Sequence, residues 1–499
     1  MAITITQASI RLLWFDEFIT FYTAKLNSVR AIWHALANGI DPNPPLTHIL
    51  VMWSMRIFGD SSLAVRLPAI LASGLGLVCL YLFLKKRLPV TYAAVGTLFF
   101  MATAAFEYSY ESRSYALTLG FAMLSLLSWR WTIEGRHPNR AAAVMAIALG
   151  LGISSNYFAV LAFFPIAAGE FVRTLERRRI DYRVCLALAI GAVPLYFYLP
   201  LINHAIATFS PHAWNKVRFR AIDDSYEQML EAIFLPALVT ICAGLGIYLY
   251  ERKRRFMPPV LPRHEAVAVF FQMLYPVIAY FIALVRGGML SPRFVLPLCY
   301  GFAIAAAVIL YKLFARSAAA TALVLLILLG WVVTREAVFA SDWINQRTAL
   351  FRVRDRIPPW ADTVVVSDSL LVLPLNYYSP RLRGRIIFPV DFTAIREYKG
   401  EDSPEQNLWS GRNVFPVPIV PLHSLQNVQD EYFIATTPNN WLLQKLRADG
   451  IAVHKVPIYP GSQDIRGFTP LCHGEVFYYQ VGGGRSVPGL QLTVEDHAR

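Results

Sequence analysis

Charge is what this chain has least of. Of its 499 residues 16% are charged and 56% hydrophobic, and the mean hydropathy is +0.44, which excludes an ordinary soluble globular domain. Acidic residues are scarcer than basic ones, 33 against 46. Cysteine is scarce as well: Cys79, Cys185, Cys242 and Cys299 lie inside apolar runs and only Cys472 lies outside them. That excludes a disulfide framework and reads as small core hydrophobes. There is no Walker loop, and Gly482-Gly483-Gly484 is not set between a strand and a helix as a dinucleotide loop would be. Internal repeats and low-complexity segments are lacking too.

What the chain does have is apolar runs of the roughly 17 to 25 residues that cross a bilayer as a helix. Ten crossings are predicted, near 63–84, 90–106, 113–131, 141–154, 157–172, 183–201, 231–250, 266–286, 292–311 and 317–337. The fourth and fifth are short and are joined by Ser154-Ser155-Asn156. The net charge of +13 does not point to nucleic acid, because the basic residues cluster in turns between apolar runs. Lys85, Lys86 and Arg87; Arg130, Arg136 and Arg140; Arg173 to Arg183; Arg252 to Arg263; and Lys312 with Arg316 mark one side, which the positive-inside rule makes cytoplasmic. The opposite turns, with Arg113, Lys216, Arg218, Arg220, Arg286 and Arg293, then face outward, and so does the Asp16-Glu17 stretch. Met1 to Leu13 is too short to span and carries no signal-like pattern, so the expectation is a further helix upstream of it.

Three segments are predicted: residues 1–62 as an outer loop with juxtamembrane helices and the Asp-Glu pair, 63–338 as the membrane domain, and 339–499 as an extracytoplasmic α/β domain with a flexible tail from Gly482. In the last, 363–368, 385–388, 432–436 and 476–479 read as short strands, and 440–448 as a helix stopped by Gly450. The fold class is thus mainly α, a polytopic helix bundle with a carboxyl-terminal α/β domain.

Chemistry-bearing residues gather in the outward segments. Asp16 and Glu17 precede a helical pattern at Ile19, Tyr22, Leu26, Val29 and Trp33, which reads as an amphipathic helix along the membrane surface. The plain alternative is that Asp16 caps that helix and Glu17 sits in its first turn. Asn43-Pro44-Pro45-Leu46 turns the chain into another helix and places His48 on its first turn, facing outward or into a cleft. Glu107, Glu111 and Arg113 lie in the turn between the second and third crossings, and Arg293 in that between the eighth and ninth. Each arginine alone reads as a snorkelling side chain. Together, carboxylates that take protons and guanidiniums that bind phosphate point to a transfer reaction on a lipid phosphate. Asp16, Glu17, His48 and Glu107 would also suit a divalent cation, although no ligand spacing supports one.

At these residues the chain resembles a known family. LWFDEFITFYTAK from Leu13, NPPLTHILVMWSMRIFGDSSLAVRLPAI from Asn43, EYSYESRSYALTLG from Glu107 and SPRFVLPL from Ser291 are similar, in order over roughly residues 12 to 340, to the integral-membrane GT-C glycosyltransferases. The nearest group is that of the bacterial relatives of protein O-mannosyltransferases and of the lipid A aminoarabinose transferase. The resemblance implies that Asp16 is the catalytic base or acceptor-binding carboxylate, with Glu17 its acidic neighbour. It also implies that Glu111, Arg113 and Tyr115 form a Glu-x-Arg-x-Tyr pattern, and that Arg293 contacts the lipid phosphate. Asn43 departs from the Lys or His of relatives, and Phe294 from their tyrosine. The implied activity is inverting transfer of a sugar from a polyprenyl-phosphate carrier to a glycan, lipid or protein acceptor, in the plasma membrane. The alternatives are a transporter or flippase of a lipid-linked substrate, and a non-catalytic relative whose outer domain recruits a partner.

Overall fold

The computed structural model describes residues 1–251, 260–314, 317–357, 362–426, 432–436, 440–451, 453–455 and 477–481. Cys472, the turn Arg252-Lys253-Arg254-Arg255, Arg316 and the tail from Gly482 lie outside them. The chain divides into two compact units. One comprises Met1–Ala8, Asn43–Ile206 and Asn215–Val338; the other comprises Ser9–Pro42, Ala207–Trp214 and Phe339–Arg499.

Three short helices open the chain: α1 (Ala2–Ile10), α2 (Phe15–Ala24) and α3 (Val29–Ala37). The single helix expected from Ile19 to Trp33 is therefore two. Asn27 takes a left-handed φ of 56°, and the side chain of Ser28 accepts from the Ala31 N–H to cap α3, so the chain restarts rather than continues. α2 is not a surface helix with one apolar face either. Nine of its ten residues are buried, because rings of the second unit cover the face that the pattern left for the membrane.

The first unit is built of α4 (Leu46–Phe58), α5 (Ser62–Lys85), α6 (Val90–Met101), α7 (Ser114–Glu134), α8 (Pro138–Ser155), α9 (Phe163–Arg177), α10 (Tyr182–Phe209), α11 (Arg220–Glu251), α12 (Arg263–Met273), α13 (Tyr275–Arg286), α14 (Leu298–Phe314) and α15 (Ala318–Arg356), the last running on into the second unit. Each of the ten expected crossings has its helix. Among the described residues, five are long and apolar enough to cross a membrane, or up to seven if each of two bent pairs counts as one span. The chain is a multi-pass membrane protein. α5 and α7 approach closely at Gly120, where a Cβ would lie 2.4 Å from the Ala72 carbonyl oxygen, and Phe100 stacks on Tyr300 at 4.3 Å. Arg87 and Arg130 converge on buried Glu265, each with a 2.7 Å contact, tying α12 to α7 and to the end of α5.

Two spans are broken. α6 turns through 78° into a 3-10 helix, Ala104–Tyr110, and α12 turns through 57° into α13. The first break has a tertiary cause. The guanidinium of Arg335 on α15 donates to the carbonyls of Met101, Ala102 and Thr103 at the interrupted helix end, and the Thr103 carbonyl also accepts from the Phe106 N–H at 3.2 Å.

The second unit carries a six-stranded sheet in the order β3-β2-β1-β4-β6-β5, made of β1 (Val364–Val366), β2 (Ile386–Val390), β3 (Ile419–Pro421), β4 (Tyr432–Thr436), β5 (Val453–Lys455) and β6 (Phe477–Val481). β1 to β4 pair in parallel and β6 runs antiparallel to β4 and β5. Its helices are α16 (Ser369–Tyr378), α17 (Phe392–Lys399), α18 (Ser403–Ser410), α19 (Leu422–Gln426) and α20 (Trp441–Ala448). The expected strands and helix are present. β3 and β5, three residues each, escape the strand pattern, β3 because prolines at 416, 418 and 421 interrupt it.

Candidate active site

In the first unit, the broken span shapes the cluster. After the 3-10 helix, Glu111 and Arg113 are extended, with the Arg113 N–H donating to the Glu111 carbonyl at 2.8 Å. The Ser112 hydroxyl donates to the Val65 carbonyl at 2.8 Å. This short strap presents Glu107, Tyr108, Glu111, Arg113 and Tyr115 together. A second strap, the 3-10 turn Pro292–Phe294 ahead of α14, brings Arg293, whose guanidinium lies 5.8 Å from the centre of the Tyr115 ring. Tyr115 meets Tyr108 edge to face at 5.1 Å. Tyr108, not singled out in the sequence, thus belongs to the group through its ring contact with Tyr115. Phe294 stacks on Phe158 at 4.6 Å and 15°.

Arg113 is 6% exposed and occupies the N-cap position of α7, with no side-chain cap. A buried cation at the positive end of a 21-residue helix is electrostatically unfavourable unless anions offset it.

Asn43 belongs to the same unit. Its Oδ1 accepts from the Ser114 hydroxyl at 3.3 Å and from Nδ2 of Asn156 at 3.4 Å. Asn156 also donates to Ser114 Oγ at 3.0 Å. Ser114 and Asn156 were missed as site residues; the one signal was a polar trio, Ser154-Ser155-Asn156, between two apolar runs. His48 departs from expectation. It lies on α4 but is 1% exposed, facing the interior rather than water or a cleft, because the Asn-Pro-Pro corner turns that side of α4 inward.

In the second unit, Asp16 lies in the first turn of α2, whose N-cap is Trp14, so Asp16 is not the cap. Glu17 is fully buried, and its Oε2 accepts from the Trp14 N–H at 3.4 Å, the returning half of a capping box. Asp16 is half-buried. Behind it, Phe18 and Phe21 pack on Tyr377 at 5.1 and 5.6 Å, and Tyr22 meets Phe415 edge to face at 5.9 Å. The Leu13 N–H donates to the Tyr378 hydroxyl at 2.8 Å, fixing the entry to α2. Burial, reinforced by Tyr377, pushes the Tyr22 hydroxyl up, so it stays protonated. A cavity of about 550 Å³ lined by Val390, Asp391, Leu422, His423, Lys445 and Asp449 contains none of the expected residues. Among the described residues, no three His, Cys, Asp or Glu side chains gather as metal ligands would.

Residues 42–204, which hold Asn43, His48, the Glu107-to-Tyr115 strap and Asn156, match the family described as dolichyl-phosphate-mannose-protein mannosyltransferase. The fold is that of ArnT. In particular, the chain is similar to ArnT from Cupriavidus metallidurans: to its crystal structure in the apo state with a TM-score of 0.60, and to that bound to undecaprenyl phosphate with 0.58. Each is 12% identical, with 96% of either chain covered. No curated protein matches the sequence.

Proposed function

We propose that the protein is an inverting membrane glycosyltransferase that moves a sugar from a polyprenyl-phosphate carrier to an acceptor on the outer face of the plasma membrane. The observation that carries this reading is Arg113, buried at the positive end of α7, in a unit where Arg293 lies over Tyr115 beside it. Two guanidiniums can grip a phosphate with paired hydrogen bonds. The match of residues 42–204 and the ArnT fold, one of whose structures holds undecaprenyl phosphate, support the same class. The basic turns support an outer location for both straps and for Asp16.

In the reaction, an acceptor hydroxyl or amine attacks the anomeric carbon, and its proton passes to the carboxylate of Asp16. The bond from that carbon to the phosphate oxygen breaks, and its electron pair leaves with the lipid phosphate. Arg293 and Arg113 stabilise the negative charge that grows there, which is where fixed charges lower a barrier. Asp16 is assigned the proton because it is half-exposed, whereas Glu17 is buried and turned to the backbone. Tyr115 lies under the Arg293 guanidinium, Glu107 and Glu111 flank the arginines in the first strap, and no step is routed through a metal ion. Charges on the spanning helices do not favour a transporter. Arg66 donates to the Ala8 carbonyl at 2.7 Å, Arg335 binds the end of α6 and Arg130 pairs with Glu265, so each has a structural partner.

The test is transfer from undecaprenyl-phosphate-linked sugars by the purified chain in liposomes, with products followed by mass spectrometry. Asp16→Asn should abolish transfer while folding and inserting normally. Full activity in that variant would remove Asp16 from the mechanism, and loss of no cell-surface sugar on deletion of the gene would remove the transferase reading.

A further inference from the structure

We propose that Asn156, acting through Ser114 and Asn43, is a positioning residue that sets Arg113 and Arg293 for the phosphate of the donor. The inference rests on the glycosyl-transfer reading and deepens it. Asn156 is 4% exposed, and both ends of its amide are used. Its Oδ1 accepts from the Phe158 N–H at 2.9 Å and so caps the 3-10 helix Tyr157–Ala162. Its Nδ2 donates to Ser114 Oγ at 3.0 Å and to Asn43 Oδ1 at 3.4 Å, and Ser114 closes the triangle onto Asn43 at 3.3 Å.

From this one amide, two short paths lead to the two arginines. Ser114 stands between Arg113 and Tyr115 on the first turn of α7, so holding its hydroxyl holds the backbone from which both side chains leave. Phe158, whose N–H the amide binds, stacks on Phe294 at 4.6 Å, and Phe294 directly follows Arg293, whose guanidinium lies over Tyr115. The corner before α4, the start of α7 and the joint after α8 thus meet at one side chain. A neutral lock fixes the arginines without adding charge beside them, and an error of about 1 Å in such groups is enough to cost a large share of their effect.

The experiment uses the full chain in detergent micelles, with undecaprenyl phosphate and undecaprenol as probes. Asn156→Ser keeps an oxygen that can cap the 3-10 helix but is too short to reach Ser114 and Asn43. The variant should bind undecaprenyl phosphate about tenfold more weakly, as expected for lost buried hydrogen bonds. Its affinity for undecaprenol should match the wild type, and its unfolding temperature should fall by only a few degrees, the cost of the hydrogen bonds to Ser114 and Asn43. Arg293→Gln should lose the phosphate-dependent part of binding. If Arg293→Gln does so and Asn156→Ser binds like wild type, the lock is refuted and the phosphate site stands. If Asn156→Ser weakens both probes equally, its role is merely structural and the inference fails. If neither variant alters phosphate-dependent binding, the reading of the site fails and takes the inference with it.

Discussion

Arg335 donates from Nη1 to the carbonyl of Ala102 at 2.6 Å, and this bond secures the bend on which the Glu107-to-Tyr115 strap depends. The same guanidinium reaches Thr103 at 3.0 Å and Met101 at 3.2 Å, and its neighbour Glu336 accepts from Gln7 Nε2 at 3.0 Å. One cation from α15 therefore serves three carbonyls at a helix end. Arg335→Leu should destabilise the protein by roughly 2–4 kcal/mol, the cost of taking a shared donor from buried carbonyls and a cation from beside the Glu336 carboxylate. Thermal unfolding in detergent checks this, and a variant as stable as wild type would show that the bend is held by other means.

In the proposed reaction Asp16 carries the chemistry, and its neighbour Glu17, buried and bonded to the Trp14 N–H, the structure. Glu17→Gln keeps an oxygen for the Trp14 N–H and removes only a buried charge, so activity should fall less than tenfold. Asp16→Asn removes the proton acceptor and should cost at least about 10³-fold in kcat. Initial rates of the two variants at saturating donor separate these roles. Comparable losses in both would return Glu17 to the reaction.

Phe294 gives a finer test of the second strap. Its ring stacks on Phe158, so Phe294→Tyr should leave transfer within about twofold of wild type. Phe294→Ala removes an aromatic pair worth roughly 1 kcal/mol beyond its buried area and lets Arg293 wander. Donor KM should then rise several-fold. Unchanged donor KM in Phe294→Ala would mean that Arg293 is placed by its own contacts.

The spanning helices were legible because apolar runs are long and uninterrupted, and the strands of the α/β domain because β-branched clusters lie between Gly, Pro and Asp. What stayed hidden was decided by residues distant in sequence. Nothing around Ala102 breaks a helix; the break is held by Arg335, 233 residues away. The burial of α2 follows from Tyr377 and Phe415, which no periodicity within α2 can report. Among the candidate residues, Arg113, Arg293 and Asp16 stood out as charges in an apolar chain, whereas Asn156, a lone neutral side chain, carries no such contrast. His48 stood out for the same reason and yet proved buried.

A last prediction concerns the second unit under changing pH. Lys399 bonds both oxygens of Glu405 at 2.9 and 3.1 Å and pairs with Glu401 at 2.6 Å. Burial alone would lower the Lys399 pKa, but Glu405 and Glu401 outweigh it and hold the ammonium above its usual value. Glu405, 1% exposed, is pushed up by burial despite the pull of Lys399. A lysine whose folded pKa is raised stabilises fully below its unfolded value, near 10.4, and that contribution is lost as pH climbs through the folded value. The wild type should therefore lose stability above about pH 10.5. Lys399→Met strands the Glu405 carboxylate and should cost roughly 3 kcal/mol at pH 8. At pH 5 the deficit should shrink, because Glu405, its pKa raised further without Lys399, takes up a proton and is buried neutral. Unfolding temperatures of the two proteins from pH 5 to 11 check both signs, and a deficit that grows toward low pH would overturn the assignment of Glu405 as the buried charge.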